Sequence, residues 1–147
     1  MRDKIIANLE ARFDAYADLI EQSDPAALEA RIDAPKHKSL AEHLWCIVGA
    51  RESYAKALEA GKWDGFACSM ASFSPDDFRY SLGQSAESVL SAINAVEHWT
   101  DEHDELLATL SEHEVMHEGQ LILEGEAKDI ATNPLARKHY LGEDFVL

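Results

Sequence analysis

The chain has 147 residues and a mass of 16.4 kDa, one domain's worth of sequence and enough to bury a real core. Hydrophobic residues make up 46% and charged residues 28%, the balance of a folded globular protein and not of a disordered one. Thirteen Lys and Arg stand against 28 Asp and Glu, a formal charge of -15, so neither nucleic acid nor an anionic membrane face is an expected partner.

The N-terminal stretch MRDKIIANLEARFDAYADLI lacks the apolar core of a signal peptide. No apolar run approaches the roughly 18 residues that would span a bilayer. Cys46 and Cys68 have no CxxC spacing and are too few for a disulfide framework. A single domain over residues 1–147, with reduced thiols in the cytoplasm, is the expectation.

The same N-terminal stretch places Ile6, Leu9, Phe13, Tyr16 and Ile20 at alternating steps of three and four, one face of an amphipathic helix. Asp24-Pro25 then predicts a turn or a brief helical piece before Pro35. The second helix opens at Ser39-Leu40-Ala41-Glu42, a capping box in which serine and glutamate satisfy each other's backbone amides. Its inward stripe is Leu40, His43, Ile47, Ala50, Tyr54 and Ala57, and Gly61 is a natural stop.

Residues 61–83, with three Gly, one Pro and five aromatics, read as a long crossover with at most one helical turn at Ser74-Pro75. A third helix follows with Ala86, Val89, Ile93 and Val96 inward. A break near Trp99–Asp104 is required, because an unbroken rod to Glu124 would be roughly 60 Å long. The fourth helix turns Leu106, Leu110, His113, His117, Gln120 or Leu121, and Glu124 inward, and the tail LARKHYLGEDFVL packs across an end. No segment alternates as a strand does. The fold class is all-α, a four-helix bundle, and a crossover of this length lets helices two and three run parallel.

Within the fourth helix, His113-Glu114-Val115-Met116-His117 is an H-E-x-x-H pattern, which in metalloproteases pairs two zinc ligands with a glutamate base. The protease reading fails here. Gly119 and Glu124 fall out of register with the extended motif, and a chain without strands offers a peptide no edge to pair with.

His43, His113 and His117 instead matter for their phase. Each occupies an inward position that packing alone would give to Leu or Ile. His113 and His117 are one turn apart and project side by side, and His43 arrives from another helix. An i,i+4 histidine pair is common by chance, so the weight rests on the shared inward phase. Buried imidazoles need a partner for their lone pairs, and a divalent ion supplies one, leaving a coordination position open to water or substrate. Glu114 and Gln120 are candidates for a supporting role around the ligands, although a solvated face is the plainer reading of Glu114. Cys46, three residues after His43, could be a soft ligand but reads first as a buried free thiol. His37, His98, His103 and His139 read as structural or surface residues.

The segments SLAEHLWCIVGARESY and HEVMHEGQLI resemble the DinB/YfiT-like superfamily of four-helix-bundle metalloproteins, whose members carry a histidine early in helix two and an HxxxHxGQ sequence in the last bundle helix. The resemblance implies a metal triad of His43, His113 and His117, with Gly119-Gln120 matching the GQ pair. Glu118 departs from it, since members often have Arg there. It also implies an up-down-down-up bundle and frequent homodimerisation. Zinc and nickel both suit imidazole ligands and are the expected divalent ions. The implied activity is that of a metal-dependent enzyme, a hydrolase or a transferase using a low-molecular-weight thiol and a small-molecule substrate. A non-enzymatic metal or small-ligand binding bundle and a dimeric helical interaction module are the alternatives.

Overall fold

Local sequence signals mark several helix boundaries in the computed structural model, which describes residues 1–31 and 37–123. Helix α1 (Arg2–Glu21) buries Leu9, Phe13, Tyr16 and Ile20, the stripe its spacing predicts. Asp24 caps α2 (Pro25–Glu29), its side chain accepting from the Ala27 amide. Helix α3 (Leu40–Ala60) starts on the expected capping box. The Glu42 amide donates to Ser39 Oγ at 3.2 Å and the Ser39 amide donates to the Glu42 carboxylate at 2.6 Å. It stops at Gly61, whose φ of 67° is left-handed backbone that favours glycine.

Helix α4 (Pro75–Ala95) is longer than its sequence suggests. Ser74 and Asp77 form a second capping box and Pro75 occupies the first turn, so the helix runs on through Gly83 instead of beginning after it. Gly83 faces solvent, and the buried Phe78 and Leu82 hold the turns around it. The crossover is therefore residues 62–74, shorter than the 61–83 expected. Helix α5 (Asp101–Leu123) starts inside the expected break of Trp99–Asp104, and the preceding Thr100 amide donates to His103 Nδ1 at 3.2 Å.

The crossover lies back along α3. Ser53 Oγ exchanges hydrogen bonds with the Ala67 backbone, and Ser69 donates to the Glu52 carboxylate. Nearer the start of α3, Cys68 Sγ donates to the Trp45 carbonyl and the Phe66 ring packs on Trp45. Gly49 makes this approach possible, since a Cβ there would meet the Phe66 ring and come within 2.8 Å of Cys68 Cβ.

Helix α3 packs on α4 and α5, and α1 packs on the same two helices. Two apolar clusters fill the interior. One gathers Leu9, Phe13, Leu58, Val89, Leu107 and Leu110; the other gathers Tyr16, Ile20, Leu44, Ile47, Phe78 and Leu82. All the described elements are helices, compatible with a helical bundle, and none is long and apolar enough to cross a membrane. Pro35, Glu124, His139 and the C-terminal tail lie outside the described residues.

Candidate metal centre

At the junction of the two apolar clusters, α3 and α5 present polar side chains to each other. From α5, His117 is 1% exposed and Glu114 is completely buried, while His113 is half-buried. From α3 come His43, also 1% exposed, and the half-buried Cys46.

The imidazoles form a chain. His43 Nδ1 lies 2.9 Å from His117 Nδ1, and His117 Nε2 lies 3.2 Å from His113 Nε2. His113 Nε2 in turn lies 3.6 Å from Cys46 Sγ. His117 thus turns one nitrogen to each neighbouring histidine, and a single ring cannot direct both lone pairs at one ion. The ligand atoms that do converge belong to Cys46, His113 and His117, all within 4.8 Å of one another. All three sequence-predicted histidines meet; His43 stands on the far edge of His117, and Cys46 is the third member of the group whose ligand atoms converge.

The converging set fits a divalent ion. Zinc bonds of about 2.0–2.1 Å to nitrogen and 2.3 Å to sulfur give tetrahedral edges of about 3.3 Å between two nitrogens and about 3.6 Å between nitrogen and sulfur. The observed 3.2 Å and 3.6 Å separations match both. The protonation states are set by burial. Desolvation, and then the neighbouring His113 and His43, push His117 down to about 3, so it is a neutral imidazole with a lone pair to give. Burial also lowers His113 and raises the Cys46 thiol. His113 Nδ1 is buried with no hydrogen-bond partner among the described residues.

Glu114 is not on a solvated face. It forms a two-point ion pair with Arg51, Nε to Oε1 at 2.6 Å and Nη2 to Oε2 at 3.0 Å, both side chains fully buried. Arg51 also donates to the Leu82 carbonyl and lies over the Phe13 ring. Tyr16 Oη donates to the Glu114 backbone carbonyl at 3.0 Å; burial, and then the Glu114 charge, raise its pKa. With both carboxylate oxygens held by a guanidinium, Glu114 is unavailable as a general base, which removes the remaining support for the protease pattern.

Gln120 is exposed, and Leu121 takes the inward position beside the second apolar cluster. Glu118 pairs with Arg12 at 3.2 Å. His103 is buried and structural, as expected, and His98 is exposed.

Sequence reasoning passes over Arg51 and ranks Cys46 as a buried free thiol ahead of a soft ligand. Arg51 follows His43 and Ile47 at steps of four, the inward phase of α3, but its charge reads as surface. Cys46 shares His43's face at a step of three. Compared with protein-family models, curated proteins and solved structures, the chain matches none.

Proposed function

We propose that this protein binds a divalent metal ion through Cys46, His113 and His117 and uses it in catalysis, as a hydrolase or as a transferase acting with a low-molecular-weight thiol. The observation that carries the proposal is the convergence of Cys46, His113 and His117, whose ligand atoms all lie within 4.8 Å of one another, with the two edges at His113 Nε2 at tetrahedral lengths. One thiolate with two imidazoles suits zinc better than nickel, because the softer sulfur ligand and tetrahedral geometry both select for zinc. When bound, the ion would lower the pKa of a water or thiol at its fourth position. Cys46 and His113 are half-buried, which leaves the group open on their side for a small molecule.

The resemblance to the DinB/YfiT-like superfamily supports the same class of site. So does the order of contacts. Arg2 meets Asp104 and Tyr16 meets Glu114, aligning α1 with α5, whereas His43 meets His117 and Arg51 meets Glu114, opposing α3 to α5. With the crossover lying back along α3, these contacts read as an up-down-down-up bundle. The resemblance would place His43 in the first coordination sphere; the distances favour Cys46. A homodimer and a cytoplasmic location belong to the proposal on the strength of the resemblance and the composition.

Protein purified without a histidine tag and reconstituted with zinc or nickel is expected to retain one ion per chain. His117→Ala should lose both the ion and the thiol-dependent or hydrolytic turnover of electrophilic substrates while keeping its helical content. No stoichiometric metal after reconstitution would overturn the proposal, and turnover surviving in His117→Ala would overturn its catalytic part.

A further inference from the structure

We infer that His43 is a positioning residue that holds His117 in the tautomer able to bind metal, an inference that rests on the metal-site reading above. The two Nδ1 atoms are 2.9 Å apart. At that separation one must carry a proton and the other a lone pair. A neutral imidazole has one N–H. If His117 Nε2 is to give its lone pair to an ion between itself, His113 and Cys46, the proton must sit on His117 Nδ1 and point at His43 Nδ1. His43 then accepts at Nδ1 and carries its own proton on Nε2.

The helical frame makes this division of labour natural. His43 and Cys46 are three residues apart on one face of α3, and His113 and His117 are four apart on one face of α5. Helix α3 therefore supplies one ligand, and one turn away the brace for a ligand on the facing helix. His43 is 1% exposed and its ring meets that of His117 edge-on, with centroids 5.2 Å apart and planes at 80°. That arrangement brings a ring nitrogen of each into line instead of stacking the two faces. His113 has no such brace among the described residues, because its buried Nδ1 lacks a partner there.

Metal-binding histidines commonly donate their second ring N–H to an acceptor that fixes the ring, and losing that acceptor weakens binding by about 10–100-fold. Here the acceptor is another imidazole. Replacing it should change how tightly the ion is held without changing how many are held.

The test uses ¹⁵N-labelled, metal-free full-length chain and long-range ¹H–¹⁵N spectra of the imidazoles at neutral pH, followed by zinc titration. Wild type should show His117 protonated at Nδ1. His43→Leu should shift His117 toward the other tautomer and weaken zinc binding about 10–100-fold at unchanged stoichiometry. His43→Gln offers a side-chain carbonyl in a similar place, and should restore the Nδ1–H tautomer and most of the affinity. If Leu at this buried position unfolds the chain, His43→Gln decides alone: a folded variant without the Nδ1–H tautomer overturns the inference. So does an unchanged His117 tautomer in His43→Leu, or loss of the ion in both variants, which would make His43 a ligand. Wild-type protein that binds no zinc would sink the proposed function, while the tautomer response still judges His43.

Discussion

Arg51 and Glu114 are both wholly removed from water, and each charge is tolerable there only because the other is present. Removing one partner leaves a buried, uncompensated charge. Glu114→Gln should therefore lose about 3–5 kcal/mol of stability in urea denaturation. Arg51→Met combined with Glu114→Leu, which removes both charges, should be close to wild type or more stable. A Glu114→Gln variant as stable as wild type would show that the pair is not buried as described. Sequence made half of this legible: phase put the three histidines inside, and they are there, fully or in part. It could not pair Glu114 with Arg51, which lies 63 residues away. Nor could it say which nitrogen of His117 faces which neighbour, because ring orientation is fixed only when two helices meet.

Among the elements, the capping boxes were the most readable features, since both halves of each lie within four residues. The Ser39–Glu42 box was recognised and marks the start of α3. Ser74-Pro75 reads as a helical start, but the glycines and aromatics of 61–83 read as crossover, so most of a two-turn stretch is assigned to it. Packing of Phe78 and Leu82 outweighs the modest cost of one exposed glycine. The boxes also carry a pH signature. Glu42 lies below its ordinary 4.5 chiefly because it accepts from the Ser39 amide, and Asp77 lies below 3.8 chiefly through the Ser74 hydroxyl. Because both folded-state values are depressed, their contribution is complete above the unfolded values and disappears as pH falls through the folded ones. The stability gap between wild type and Glu42→Ala/Asp77→Ala should be widest near neutrality and narrow below about pH 4. A gap that stays constant or widens in acid would contradict this.

For the molecule as a whole, composition and periodicity point to an all-helical chain with an inward polar cluster, and among the described residues every element is a helix and the cluster is there. That Cys46, and not His43, completes the converging group is not readable in the sequence, because both lie on the same face of α3 and only the placement of α5 distinguishes them. Binding energy at the site should be felt throughout the fold. An ion at a hundredfold its Kd stabilises the chain by about 2.7 kcal/mol, or about 5–10 °C in Tm at this size. Calorimetry should show that shift with zinc in wild type and none in His117→Ala; equal shifts in both would assign the effect to general screening of the -15 charge instead.

Cobalt(II) titration of the metal-free chain, read in the near ultraviolet, bears most directly on the claim that sulfur and two imidazoles from separate helices share one ion. A sulfur-to-cobalt charge-transfer band should rise to saturation at one ion per chain and be absent from a helical Cys46→Ala variant. Cobalt bound without that band, or a band that persists in Cys46→Ala, would contradict the assignment.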